Sequence, residues 1–537
     1  MYAPRNTLIT AAAAGTSVLA LITATASATP AAPAHEQTAT ASSTPANMRD
    51  QTSVDLRRWA ADTWHSFEGL VDPATGLPAD NIEGDLAPST RSGYTSPTNI
   101  GGYLWSTVAA RDLGIIGSDE AYRRMRQTLD TMASVSRNEP SGMFYNWYDE
   151  HTGKVITTWP TDGHTIIPFL SSVDNGWFAA SLRVVAGAEP RLRAKAMRLY
   201  NSMNFGSFYD PDARADQNVG LLRGGFYDTD PGGCNVHQAP YTGEGPDVWY
   251  TCNHYDITVT EPRLALYLGI ANGEIPRKAY FGPNRTFPVG NCNFAFEQKP
   301  IGGYHNYLGV DVFEGAYQYR GMKIVPSWGG DMFEALMPDL FVPEATWGPR
   351  SWGVNHPLTV RAQIEHGLDE AHYGYWGFSP ASDPFGNYRE YGVEELGMSP
   401  DGYASDEPRT NVDKGYEGCR DATNPNPTFN NGVVTPHASF LALPYAQAAA
   451  VKNLRNIEDV LGAYGPGGFY DSVAVGTDTI AKRYLSLDQA MVMGAIVNDL
   501  NHDAIKRAFV DKSFERALRP LMAMEVFNAG STNETQR

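Results

Sequence analysis

The sequence predicts an all-α fold, an (α/α)6 toroid of helical hairpins with long loops and minor β-hairpins on one face. Three observations lead there. Apolar residues recur at helical spacing in about twelve segments of the chain. The segments follow one another in pairs, and short connections fold such pairs into antiparallel hairpins. Loops rich in Gly, Asn, Asp, Tyr and Trp separate several pairs, over 138–170, 205–255, 276–330 and 372–433. Loops of this kind on one side of a rigid scaffold are where binding and catalytic groups are usually carried. No fixed-period repeat is present, which disfavours an open solenoid.

At the N-terminus, Arg5 precedes the uncharged run "LITAAAAGTSVLALIT", and Ala26-Ser27-Ala28 offers small residues for cleavage. Residues 1–28 therefore read as a secretory signal peptide, and the mature protein is expected outside the cell. The run is too short and too rich in Ala and Thr to span a bilayer, and no later stretch reaches about 18 uninterrupted apolar residues. Residues 29–48 are mostly Ala, Thr, Pro and Ser and read as a flexible leader. A single catalytic domain over 49–529 follows, because no Pro/Ser/Gly-rich linker interrupts it. Residues 530–537 read as a tail.

The helices are justified in order. "SVDLRRWAADTWHSFEGLV" (53–71) places Leu56, Trp59, Ala60, Trp64 and Phe67 on one stripe. Helices follow over 98–115 and 118–135, the second opened by Ser118 as a cap. The pair 171–188 and 191–203 comes next. Later segments are read at 257–273, 331–341, 357–370, 436–451, 455–463, 485–500, 502–509 and 513–526. Several are opened by Pro, Asp or Ser and closed by Gly, the usual punctuation of helices.

With 41 Lys and Arg against 60 Asp and Glu, the chain carries a net charge of −19 and no basic cluster. That balance excludes nucleic acid and anionic membranes as expected partners. The four cysteines are Cys234, Cys252, Cys292 and Cys419. In an exported chain an even number suggests two disulfides, with Cys234–Cys252 the preferred closure of a short loop. None has the spacing of a zinc site. The histidines are scattered, without paired ligand spacing. The acidic turns at 209–220 and 227–233 do not match a calcium loop. No metal and no cofactor is expected, and neither GxSxG, HExxH nor a Walker sequence is present.

The loops point to a sugar. "HYGYWGFSPASDPFGNYREYG" (372–392) is dense in aromatics, whose faces suit the C–H face of a pyranose while carboxylates meet its hydroxyl rim. Glycoside cleavage needs two carboxyl groups, one protonated and one acting as base or nucleophile. Glu261 lies just before Pro262 at a helix start, where it could equally serve the helix dipole. Glu334 falls within "SWGGDMFEALMPDLFVPEATW", and on a continuous helix it would share an apolar face with Met337 and Phe341. Desolvation there would raise its pKa, unless a buried partner makes it a structural acid. Asp174 could cap a helix or face a cavity. Asp471 and Asp488, near the start of a late helix, read as substrate-orienting or structural.

These residues sit in motifs that resemble the glucoamylase-like domain family. "SSVDNGWFAASL", "YDITVTEPRLALYLGIANGEIP", "SWGGDMFEALMPDLFVPE", "YGYWGFSPA", "VVTPHASFLALP" and "GGFYDSVAVG…YLSLDQAMVM" occur in the family's order, over roughly 160–500. The family is similar to endo-β-1,2-glucanases of glycoside hydrolase family 144 and to the transglycosylating domain of cyclic β-1,2-glucan synthases. The resemblance implies an (α/α)6 toroid, with Glu261 as general acid and Glu334 as nucleophile or base. It implies that Asp174 contacts substrate at the cleaved subsite and that Asp256, Trp328, Asp331, Tyr373 and Trp376 shape the sugar subsites. The expected activity is hydrolysis of a β-linked glucan, β-1,2 first, cut internally by a monomer whose partner is a poly- or oligosaccharide. The alternatives are a same-fold retaining glycosidase or transglycosylase on another bacterial or plant glycan, and a non-catalytic carbohydrate-binding protein.

Overall fold

Helix starts in this chain are set by side-chain caps and prolines, and those starts place the site. The computed structural model describes residues 45–233, 236–241, 245–288, 298–398, 413–421, 429 and 432–531. The chain divides into two units, Met1–Asp55 and Leu56–Arg537. The signal peptide and most of the leader expected from the sequence lie outside the described residues. Of the first unit, only the opening of helix α1 (Pro45–Leu70) is described; it begins inside the stretch read as a leader.

The second unit continues with α2 (Pro97–Asp112), α3 (Ser118–Met132), α4 (Ser172–Ala188), α5 (Arg193–Tyr200) and α6 (Arg263–Asn272). Then come α7 (Met332–Leu336), α8 (Glu344–Trp347), α9 (Trp352–Glu365), α10 (Pro436–Leu441) and α11 (Leu443–Asp459). It closes with α12 (Ser486–Leu500), α13 (Ala504–Phe509) and α14 (Lys512–Met524). Ser96 and Ser171 cap α2 and α4, accepting from the backbone N–H of Asn99 and Asp174. α2, α4 and α12 are buried on nearly every face, as central helices are. They pack together around Trp105, Trp177 and Phe341, whose rings meet at 5.1–6.4 Å.

Four readings are corrected. The segment 331–341 is a helix of five residues followed by a 3-10 turn at Pro338–Leu340, because Pro338 supplies no N–H to continue it. The helix read from 257 starts at Arg263. Its β-branched approach instead forms parallel bridges, Ile257 to Asn284 and Val259 to Ser327. α9 starts at Trp352 and carries Pro357 inside it. The late pair breaks before Leu443-Pro444, earlier than read.

The loops are far richer in strand than the minor hairpins expected. Residues 205–255 contribute to two antiparallel sheets, and Phe169–Ser171 joins the second of them. Ile301–Tyr307 and Val310–Tyr319 form a hairpin in register Tyr307↔Val310, turning on Leu308-Gly309, both at positive φ. Met322–Ile324 extends that sheet and pairs with Gly530–Ser531, so the start of the expected tail is an edge strand. Cys252 is a free, exposed thiol, so the expected Cys234–Cys252 closure does not form; Cys419 is disulfide-bonded, and Cys234 and Cys292 lie outside the described residues. Among the described residues no helix is long and apolar enough to cross a membrane.

Gly330 is fixed by this packing. Its φ is +66°, and a Cβ there would stand 2.0 Å from the carbonyl oxygen of Val393. Gly330→Ala is expected to destabilise the fold by about 2–4 kcal/mol, read as a lowered denaturant midpoint with an unchanged slope.

Candidate active site

The two carboxylates singled out by sequence are brought together by backbone pairing. Ser327 bridges both Val259 and Gly397, so the strand-like approach to Glu261 runs beside the loop that leads into α7. Arg263 then joins them directly. Its guanidinium donates to the carbonyls of Thr260 at 2.9 Å, Glu334 at 2.6 Å and Ala335 at 2.8 Å. It also makes a two-point pair with Glu344 at 2.8 and 2.9 Å and lies over the Trp352 ring. Tyr267 and His356 complete the shell around Glu344. Burial alone would raise Glu344, but the charge and hydrogen bonds of Arg263 outweigh it and hold the carboxyl down at about 2.

Glu334 does not lie on a buried apolar face. It and Phe333 are the half-buried residues of α7, while Met337 and Phe341 turn into the core. Asp331 caps α7 by accepting from the Glu334 backbone N–H at 2.8 Å. The Gly329 N–H donates to Glu334 Oε2, also at 2.8 Å. Burial pushes Glu261 up to about 8, helped by the charges of Glu334 and Glu390. Burial pushes Asp331 to about 7, against the hydrogen bonds it accepts from Glu334. Glu334 is raised further, by burial and then by Asp331. Three acids in one cleft cannot all ionise at neutral pH, so protons are retained among them. Asp331, held by the start of α7, carries the charge most readily.

Next to this acid group, with Phe333 of α7 in its wall, lies a cavity of about 490 Å3 lined also by Asp80, Tyr94, Trp147, Asp174, Tyr388 and Asp488; the three acids themselves are not among its lining residues. The first turns of α2, α4, α7 and α12 converge on it. Tyr255 connects the two regions: its phenol is raised by burial and then by the charges of Glu261, Asp174 and Glu334. Asp174 accepts from Thr98 Oγ at 2.7 Å, and the Asn146 amide, oriented to satisfy its neighbours, donates to it at 2.6 Å. Burial nevertheless raises Asp174 above its ordinary value.

The other predicted residues separate. Asp488 lines the cavity, and Asp471 is buried behind it, its Oδ2 accepting from the Ser382 N–H at 2.6 Å. Asp256 is raised by burial to about 6 and lies within the field of Arg214, away from the cavity lining. Trp328 packs beside a small cluster of Ile257, Tyr317 and Met398. Tyr373 meets the rings of His366 and Phe378. Trp376 is corrected: at 1 % exposure it is a core residue with no face open to a sugar. Sequence reasoning missed Asp80, Tyr94, Trp147 and Glu390. Tyr94 and Trp147 stack edge-on at 5.3 Å on the cavity wall. No spacing rule finds them, because they come from loops joined only by the fold. Arg263 and Glu344 carried a signal, since both stand inside the quoted motifs.

Fold and site together define a helical scaffold with a carboxylate-lined cleft, and comparison with known proteins agrees with the motif resemblance. Residues 298–513 match the Glycoamylase family model, described as "Putative glucoamylase". Residues 58–210 match a family described as of unknown function. The chain is 22% identical to the cyclic β-(1,2)-glucan synthase NdvB of Rhizobium meliloti over an alignment of 581 residues that covers 86% of this chain and 18% of that protein. An endo-β-1,2-glucanase from Chitinophaga pinensis, in complex with sophorotriose and glucose, superposes with a TM-score of 0.59 at 15% identity, over 88% of this chain and 97% of that one. An endo-β-1,2-glucanase from Talaromyces funiculosus in complex with sophorose gives 0.55 at 12% identity, over 88% and 91%. The chain has the fold of these proteins.

Two outcomes follow from the electrostatics. Arg263→Met leaves Glu344 buried without its counter-charge and is expected to cost about 3–5 kcal/mol by chemical denaturation at pH 7. Glu261 ionises near 4.5 when unfolded and near 8 when folded, so the folded state holds its proton more tightly. The stability this contributes is fully present below pH 4.5 and is lost as pH rises through 8. Glu261→Gln should therefore raise the melting temperature at pH 8.5 relative to the parent by more than it does at pH 4.

Proposed function

We propose that this chain is a secreted, monomeric glycoside hydrolase that cuts a β-linked glucan internally, β-1,2-glucan in first place. The helices form an (α/α)6 toroid in this reading, with the cleft at the end where their first turns meet. The observation that carries the proposal is the approach of Glu261 to the Asp331–Glu334 couple beside the cavity, tied by Arg263. Glu261 keeps its proton at neutral pH and is suited to protonate the leaving glycosidic oxygen. Glu334 serves as base toward water or as nucleophile in the state in which the proton of the Asp331–Glu334 couple sits on Asp331. Asp174, Asp488, Tyr94 and Trp147 supply the polar and aromatic walls that hold sugar rings. The likeness to endo-β-1,2-glucanases supports the substrate class.

A second reading has its own support. Similarity to a cyclic β-(1,2)-glucan synthase favours transfer to a sugar hydroxyl instead of water. The geometry of acid and nucleophile would be the same, and the acceptor alone would differ.

The test is a polysaccharide panel with product sizing and anomer detection. Linear β-1,2-glucan is expected to shorten to oligosaccharides, and Glu261→Gln and Glu334→Gln each to lower kcat by about 10²–10⁴-fold. Cyclic or lengthened products would select the transferase reading. A parent that binds glucan without cleaving it would leave a binding protein, and unchanged rates in both variants would refute the site assignment.

A further inference from the structure

We propose that His437, Asp471 and Asp488 form a binding site for one divalent transition cation, of the zinc or manganese class, in the floor of the cleft. His437 opens α10, Asp471 precedes the strand Ser472–Ala474, and Asp488 stands in the first turn of α12. Each offers a ligand atom, and these atoms lie within 4.8 Å of one another. The three residues are 2–3 % exposed. Asp471 Oδ1 and Asp488 Oδ2 meet no N–H or O–H donor and face one another closely enough to share a proton, and His437 Nδ1 stands 3.5 Å from Asp488 Oδ2. The other oxygen of Asp471 is held by the Ser382 N–H, the kind of outer contact that orients a metal ligand.

Charge separates this cluster from the two others in which acids meet a histidine. In the group Asp339, Glu344 and His356, Arg263 already pairs with Glu344 and Lys506 with Asp339. In the group His366, Glu370 and Glu395, the charges of Arg320 and Lys414 already act on Glu370 and Glu395. Among the described residues, Asp471 and Asp488 have no Lys or Arg at ion-pair distance. Arg483, the cation that acts on Asp471 from further off, is engaged with Glu83 at 2.5 Å. Asp80 adds a third negative charge to the field at Asp488. Two adjoining buried carboxylates cannot both ionise without a counter-charge; a shared proton relieves the pair when no ion is bound, and a cation between them would displace that proton and let both ionise. One imidazole and two carboxylates suit zinc or manganese better than calcium, which takes six to eight oxygens. Asp488 and Asp80 line the cavity, which gives an ion its way in. The proposal does not rest on the glycosidase reading.

The experiment strips the full chain with a chelator and offers Zn2+ or Mn2+. It then removes free metal and measures bound metal by mass spectrometry and the melting temperature by scanning fluorimetry. The parent is expected to retain about one equivalent of one of them and to melt higher when loaded. The isosteric double variant Asp471→Asn/Asp488→Asn, and separately His437→Gln, should each retain roughly tenfold less and lose the shift. Two outcomes overturn the site: a parent that retains neither ion, or a double variant that retains metal as the parent does. Should the variants fail to fold, the parent's stoichiometry alone still decides against the site if no ion is held. Metal content is read independently of glucan cleavage, so failure of one proposal leaves the other standing.

Discussion

The Arg263–Glu344 pair is the interaction on which the site depends. One buried guanidinium spends all of its directional capacity at a junction: two bonds to a carboxylate and three to carbonyls of two chain segments. Those carbonyls belong to the residue before Glu261, to Glu334 itself and to the residue after it. The planar fork of arginine fits this geometry, and a lysine could not satisfy all five positions. The anion that balances it, Glu344, is itself fixed by Tyr267 and His356, so the latch is a buried polar network inside an apolar core.

Around that latch the fold collects acids that repel one another. Glu261, Asp331 and Glu334 act on one another; Asp80, Asp174, Asp471 and Asp488 line or back the neighbouring cavity. Such a concentration of like charge works against folding, and the raised pKa values are its expression. The scaffold tolerates it because α2, α4 and α12 supply an extensive apolar core, and because helix starts offer backbone N–H groups where the acids sit. The instability is concentrated at the place where proton transfer would be needed.

Much of the scaffold was legible in the chain. The α2, α3, α4, α12 and α14 segments were read to within a few residues, since their apolar spacing is a local signal, although Ser118 is the first residue of α3 and Gly117, with no side-chain bond, stands at its cap. The sheets were not. Their strands lie in loops whose pairing is set by contacts from distant segments, such as Met322–Ile324 with Gly530–Ser531. Glu261 and Glu334 were legible as a pair through their motifs. Trp376 was misread because an aromatic in a Gly-rich loop looks the same in sequence whether it faces solvent or core.

By itself the sequence determined the residue types and the local devices: the Ser caps of α2 and α4, the Asp331 cap that starts α7, the Pro that stops it, and the carboxylates in their order. These follow from backbone chemistry within a few residues. Only the tertiary structure decided which acids share a field, which of them meet a cation and which do not. Glu344 is held ionised and Glu261 protonated, though both are glutamates largely withdrawn from water. The difference is a single guanidinium on one side and a second carboxylate on the other, and charge interactions of that kind depend on distance through space and on burial, neither of which is written along the chain.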